Sequence, residues 1–423
     1  MTALRRSRAR IQVPARAKGR SLPNGKRPYS IDAVPADEDR NTQYRRWSTP
    51  LLRVALDVRP ALSRPTGVGI YIGALADALP AKDPESQFTL FTSSLRERWP
   101  RTSAAPNVRV VDRRIPVRVL NLAWSRLEWP TIETVCGQEF DLVHSPHALL
   151  TPVLRARRVI SIHDLFFFKH PELTGGEVRR DYAPLVKAHA RKADGVICPS
   201  EHTARDVEIL LGVPRHKIGV TPYGVNPVFR TPVEPRDVDP LLRRLGLSNG
   251  FILYLGSDEK RKNLGTLVSA YREFAKQMSE PPALVMVGPH AAFGDGDPGS
   301  KGRVVSTGYL ETHEIRALMS VARCLVLASL EEGFGFPVVE AMSAGLPVVC
   351  SRGSSLEEIA GGAAELIDDP LSEDAIVRSL RRVFEDDGRA EQLRAAGLER
   401  ARLYDWDRTA QLTLDFYRKV VGS

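Results

Sequence analysis

The sequence predicts an α/β protein with two doubly wound parallel sheets, on three observations. Short apolar, β-branched runs alternate with helical stretches from residue 53 onward, and strands alternating with helices give parallel sheets covered on both faces. The runs are continuously apolar, as expected for strands buried on both sides. The chain has 423 residues, more than one ordinary domain of roughly 100–200 residues, and a Pro- and charge-rich stretch from Pro227 to Gly250 interrupts the rhythm.

Taken in order, residues 1–48 are Arg-, Pro- and Ser-rich without apolar periodicity and read as a disordered basic tail. The runs Val54–Val58, Asp141–His144, Val159–Ile162 and Gly195–Cys198 then build a first domain over 49–230. Three prolines (Pro232, Pro235 and Pro240) and several charges make 231–249 a linker. Phe251–Leu255, Ala283–Val287, Cys324–Ala328 and Pro347–Cys350 build a second domain over 250–403. The last stretch, 404–423, holds an amphipathic helix from Trp406 to Val421 with Asp405 as its N-cap, expected to pack back toward the first domain.

Composition excludes several classes. With 43% hydrophobic and 26% charged residues, the chain is neither wholly disordered nor collagen-like. No run approaches the ~18 apolar residues that span a bilayer, and the N-terminus lacks the apolar segment of a signal peptide. The net charge of +9 is concentrated in the tail: residues 1–48 hold 12 Lys/Arg against 4 Asp/Glu, and the rest 48 against 47. The body is therefore near neutral, which argues against a nucleic-acid partner and leaves binding of an anionic polymer or surface to the tail alone. Cys136, Cys198, Cys324 and Cys350 lack paired spacing and read as buried thiols in a reducing, cytoplasmic setting.

Ligands of open parallel sheets bind beyond the carboxyl ends of the strands, and the unusual residues fall there. The strongest string is Glu332-Gly-Phe-Gly-Phe-Pro-Val-Val-Glu340. Pro337 suits the first turn of a helix, whose N-terminus suits a phosphate. Gly333 and Gly335 permit close backbone approach. Each glutamate can accept from a pair of neighbouring hydroxyls. Lys260-Arg261-Lys262-Asn263 follows a strand and a glycine, with cations fit to neutralise a diphosphate. Gly67-Val-Gly69 and His163-Asp164 also follow strands and are weaker signals on their own. Three Asp-x-Asp triplets (Asp237/Asp239, Asp295/Asp297 and Asp405/Asp407) lack a strand-end setting, so no metal is expected.

Together with Asp57, Thr66-Gly-Val-Gly69, Ser161-Ile-His-Asp164, Pro222-Tyr-Gly-Val225 and Gly308-Tyr-Leu310, these strings resemble, in order and over residues 53–421, glycosyltransferase family 4. The resemblance implies a GT-B fold, two Rossmann-like domains facing across a cleft, and a retaining, metal-independent hexosyltransferase that uses a nucleotide sugar. It implies that Glu340 binds the donor ribose and Glu332 the transferred sugar, with backbone N–H groups from Gly333, Phe334 and Gly335. Arg261 and Lys262 would hold the diphosphate, Gly67 and Gly69 would approach the phosphates, backbone around Tyr309 would face the base, and His163 would lie near the reacting carbon. Many members place an Arg directly after the glycine where this chain has Ser257. The Arg-Lys-Asn variant is often mannosyltransferase-like, which favours a GDP-sugar such as GDP-mannose over a UDP-sugar. No cofactor beyond the substrate is implied. The family's common setting is polysaccharide biosynthesis, with a glycan or lipid-linked acceptor and peripheral contact at the inner face of the membrane. The stretches Val117–Trp129 and Val178–Lys192 are the candidates for that contact. A sugar-nucleotide epimerase or phosphorylase on the same fold is the alternative.

Overall fold

A computed structural model of the chain describes residues 51–62, 67–99, 105–289 and 302–423. The basic tail, Thr66 and the Asp295/Asp297 triplet lie outside the described residues. The first sheet contains β1 (Arg53–Asp57), β2 (Gln87–Ser93), β3 (Val108–Arg113), β4 (Leu142–Ser145), β5 (Arg157–Ser161), β6 (Gly195–Cys198) and β7 (Ile218–Val220). Its helices are α1 (Gly67–Lys82), α2 (Val117–Leu127), α3 (Ile132–Cys136), α4 (Phe166–Lys169), α5 (Ala183–Lys192) and α6 (Glu201–Asp206). The second sheet, preceded by α7 (Pro235–Leu245), contains β8 (Ile252–Leu255), β9 (Leu284–Val287), β10 (Val304–Gly308), β11 (Cys324–Leu327), β12 (Val348–Ser351) and β13 (Glu365–Ile367). Its helices are α8 (Leu264–Lys276), α9 (Thr312–Val321), α10 (Phe336–Ser343), α11 (Ser355–Ala360), α12 (Glu373–Glu385) and α13 (Asp387–Ala401), and α14 (Trp406–Val421) follows.

Every strand pairing is parallel. The strand orders are β3-β2-β1-β4-β5-β6-β7 and β10-β9-β8-β11-β12-β13. Each order reverses once, between β1 and β4 in the first sheet and between β8 and β11 in the second. Such switch points open the crevice in which doubly wound sheets bind ligands. The apolar runs in the sequence mark the inner strands except β2, whose apolar residues are interrupted by Thr89 and Thr92. The four edge strands β3, β7, β10 and β13 carry no such run, because an edge strand buries less; β3 buries only Val111.

One expectation is corrected. The segment 231–249, read as a linker, contains α7, whose Val238, Leu241 and Leu242 are buried. Pro235 stands in its first turn, where the missing N–H costs nothing. Gly246 ends it at φ 61°, a left-handed conformation that glycine adopts freely.

α14 begins where Asp405 accepts from the Arg408 N–H at 2.7 Å, and it packs on α1 and β7. Glycines make room for it. A methyl at Gly195 or Gly219 would come within 2.8 or 2.6 Å of the Phe416 ring. Tyr417 of α14 reaches His144 of β4 at 2.6 Å, and His144 reaches Ser161 of β5 at 2.8 Å, so a buried polar chain ties the helix to the sheet centre. At Gly224 an added methyl would lie 2.3 Å from the Trp406 nitrogen and 2.5 Å from the Asp405 carbonyl carbon. Those are backbone atoms and cannot rotate away. Gly224→Ala is therefore expected to cost roughly 1–3 kcal/mol, read as a lower denaturant midpoint. A midpoint equal to that of the unaltered chain would show that the helix sits elsewhere in solution.

Candidate functional site

The site is built on the loops that leave β8 and β11, the strands flanking the second switch point. After β8 the chain makes a single 3-10 turn, Lys260–Lys262. Asn263 closes it at φ 56°, a left-handed conformation that Asn tolerates better than most residues. The Asn263 amide donates to the carbonyls of Pro370 at 2.6 Å and Ala328 at 3.2 Å. The Leu330 N–H donates to the Arg261 carbonyl at 2.7 Å. The cationic turn is thereby fastened to the loop after β11.

That loop carries Glu332, which is buried. Its Oε1 accepts from Lys262 Nζ at 2.5 Å and Ser329 Oγ at 3.1 Å, and its Oε2 from Arg261 at 2.6 Å. Ser355 Oγ donates to its main-chain carbonyl at 2.6 Å. Burial alone would raise the carboxyl pKa, but the Lys262 and Arg261 charges outweigh it and hold it at about 2. Against its own burial, Arg261 is held firmly charged by Glu332, Asp164 and Glu259. Three residues on, Gly335 caps α10 at φ 92°, and a methyl there would lie 2.3 Å from Leu356 Cδ2. Pro337 occupies the first turn of α10, as its sequence position suggests.

Glu340 lies on α10 in the opposite situation. Its half-buried carboxylate has no partner among the described residues, and burial pushes it up to about 7. The nine-residue string thus holds one satisfied carboxylate and one waiting for donors.

The first sheet supplies the opposing wall. The His163 carbonyl follows β5 and faces Gly333 so closely that a methyl on Gly333 would lie 1.5 Å from it. The His163 ring is fully engaged, with Nε2 3.0 Å from the Pro146 carbonyl and Nδ1 2.5 Å from Tyr223 Oη. The carbonyl only accepts, so Nε2 carries the hydrogen and Nδ1 accepts from the tyrosine. Burial keeps this ring neutral, with its pKa lowered to about 4. Gly67 opens α1, and a methyl there would lie 3.7 Å from the Phe336 ring. The start of α1 therefore lies against the first residue of α10, and helix N-termini suit a phosphate group.

Other residues singled out in the sequence are placed differently. The Phe334 ring is buried among Tyr223, Phe336 and Tyr404, so only its backbone is open to a ligand role. Gly69 is buried within α1. Tyr309 follows β10 and is exposed. Asp237 and Asp239 lie on α7, and Asp405 caps α14. Sequence reasoning named Asp57 but missed the contacts that make it and Ser200 supports. Asp57 holds Arg59 at 2.7 Å and His147 at 3.1 Å, and Arg59 lies 4.3 Å from the Trp124 ring centre. Ser200 Oγ donates to the Gly333 carbonyl at 2.8 Å. An Asp-x-Arg pair closing a strand was the available signal for the first; nothing local marks the second.

Two family profiles match the chain: Glycosyltransferase Family 4 over residues 65–229 and Glycosyl transferases group 1 over residues 244–400. The O-antigen chain mannosyltransferase B of Escherichia coli is 29% identical over 284 residues, 66% of this chain and 74% of that protein. The serotype-specific mannosyltransferase WbdA of Escherichia coli is 25% identical over 63% of this chain, which spans only 34% of WbdA. Among solved structures, sucrose-phosphate synthase from Thermosynechococcus elongatus shares the fold with a TM-score of 0.68 at 21% identity, over 88% of this chain and 99% of that one.

The ionisation of Glu332 carries a pH signature. Its folded pKa lies below its unfolded value, so the stabilisation is complete above about pH 4.5 and is lost as pH falls toward 2. Glu332→Gln is expected to lower stability by roughly 3 kcal/mol at pH 7. The gap should narrow steadily below pH 4.5 when denaturant midpoints are measured across pH. A gap independent of pH would mean the carboxylate is not held between these cations.

Proposed function

Since the chain belongs to the family 4 glycosyltransferases of GT-B fold and is a glycosyltransferase acting on a nucleotide sugar, we propose that it moves mannose or a similar hexose from a GDP-sugar to a glycan or lipid-linked glycan, with retention at the anomeric carbon and without a metal. The observation that carries this reading is the pairing of a satisfied Glu332, between Arg261 and Lys262, with an unpartnered Glu340 one α10 turn beyond two glycines. The ribose hydroxyls of a donor supply what Glu340 lacks. The diphosphate takes up Arg261, Lys262 and the helix N–H groups. As the anomeric C–O bond breaks, charge grows on the diphosphate, and cations fixed in place before the reaction stabilise it. The same cations provide the neutralisation that a divalent ion gives in other transferases. The mannosyltransferase names of two relatives support the choice of sugar.

GDP is expected to raise the melting temperature more than UDP or ADP at equal concentration. Glu340→Gln should abolish that shift. Because burial destabilises the ionised Glu340 carboxylate, the same variant without nucleotide should melt higher than the unaltered chain at pH 8, with the difference shrinking below about pH 7 and vanishing below about pH 4.5. Lys262→Ala should lower turnover of GDP-mannose about 10²–10³-fold. A nucleotide shift that survives Glu340→Gln would overturn the site.

The acceptor side of the same reading points to a membrane surface. Among the described residues no helix is long and apolar enough to cross a membrane. α2 nevertheless exposes Leu122 at 58% and Leu127 at 70%, with Trp129 just beyond at 62%. Exposed Arg114, Arg118 and Arg126 flank them. Apolar side chains framed by arginines suit an anionic bilayer interface. Asn121 on the same helix accepts from Arg59 at 3.0 Å, so α2 adjoins the end of β1. The protein is expected to float with phosphatidylglycerol vesicles and not with phosphatidylcholine vesicles, and the double variant Leu122→Glu, Leu127→Glu should stay at the bottom of the gradient. Equal flotation of both proteins would remove α2 from the acceptor side.

A further inference from the structure

Glu331, the neighbour of Glu332, points the other way. Its buried carboxylate leaves its own domain and is met by Lys169 Nζ of α4 at 2.6 Å and His202 Nε2 of α6 at 2.5 Å. Burial would raise its pKa, but the bonds from His202 and Lys169 reverse that and keep it ionised. A carboxylate only accepts, so His202 Nε2 carries the hydrogen. Asp206, one turn along α6, holds Lys169 from behind at 3.3 Å. The ligand atoms of His202, Asp206 and Glu331 lie within 4.8 Å of one another, a spacing a metal ion could use. The Lys169 ammonium bonds both carboxylates of that group, so the charge the group requires is already present.

Two further links join the same elements. Both oxygens of Glu358 on α11 accept from the first N–H groups of α6, those of Glu201 at 2.9 Å and His202 at 2.8 Å. Ser200 binds the Gly333 carbonyl. Two successive glutamates are thus each held by two nitrogen donors, Glu332 by Arg261 and Lys262 of the second sheet, Glu331 by Lys169 and His202 of the first.

We infer that Lys169 and His202 are positioning residues for the transfer, which act through Glu331 to hold the Ser329–Gly335 loop, and with it Glu332, against the wall that bears His163. Neither side chain belongs to the donor-binding set, so the clamp governs how well the bound donor is aimed and not how tightly the nucleotide binds. A misplacement of about 1 Å in such a support costs up to 10²-fold in rate.

The test uses Lys169→Met, Lys169→Arg and Glu331→Gln in the full chain, with two readouts. The first needs no substrate: amide hydrogen exchange of residues 329–335 and 201–206. Lys169→Met and Glu331→Gln should raise exchange in both segments together, the double variant should add nothing to either single one, and Lys169→Arg should restore protection. The second rests on the donor reading proposed above: GDP affinity by calorimetry and release of GDP from GDP-mannose. Lys169→Met should lower kcat about 10–100-fold with GDP affinity changed less than twofold. Unchanged exchange in both segments, or parallel losses of GDP affinity and kcat, would overturn the clamp. If no variant and not even the unaltered chain binds GDP, the donor reading falls while the exchange readout still decides the clamp.

Discussion

A carboxylate buried between two cations sets the geometry of this molecule's cleft. Glu332 lies out of water, where an isolated charge is costly, and it remains ionised because Lys262 and Arg261 meet it from a turn fastened by Asn263. Removing the carboxylate takes from both cations the partner they share, and breaking a comparable buried ion pair costs several kcal/mol. The triad therefore fixes three loops at once: the turn after β8, the loop after β11 and, through the Ser355 hydroxyl, the start of α11.

Glu340 shows the opposite use of burial. One carboxyl in the string is lowered to about 2 by its cations, while the other is raised to about 7 with nothing to meet it. Environments that drive two like groups apart assign them different tasks. Glu332 is spent on architecture in the empty protein, and Glu340 keeps its hydrogen-bonding capacity for a ligand. The free protein bears the cost of that second arrangement, and under the proposed function the donor's ribose hydroxyls would relieve it.

The sequence displayed the central strands and the carboxyl-end loops because both are local signals. Continuous apolar runs such as Phe251–Leu255 or Cys324–Ala328 fit strands between two covered faces, and Glu332-Gly-Phe-Gly-Phe-Pro-Val-Val-Glu340 states its turn, its helix start and its charges within nine residues. The edge strands were hidden because an edge needs no apolar run, the inner strand β2 because Thr89 and Thr92 interrupt its apolar residues, and α7 because its Pro235, read as a linker residue, starts a helix. What could not be read is everything made by distant residues meeting. Glu332 binds Lys262 from seventy positions away, Lys169 meets Glu331, and Ser200 meets Gly333. The closed ring of His163 was equally invisible, since its partner Tyr223 sits sixty residues downstream.

The docking of α14 has a consequence for the order in which the chain can fold. Phe416 fills the space left by Gly195 and Gly219, and Tyr417 completes the polar chain through His144 and Ser161 at the middle of the first sheet. Domains generally fold as they emerge, the N-terminal one first. Here the first sheet is synthesised early but its core is finished by residues made some two hundred positions later. During translation the second sheet has all its strands and can close on its own, while the first stays open on one face until Trp406–Val421 arrives. The domain made first is thus the last to be sealed.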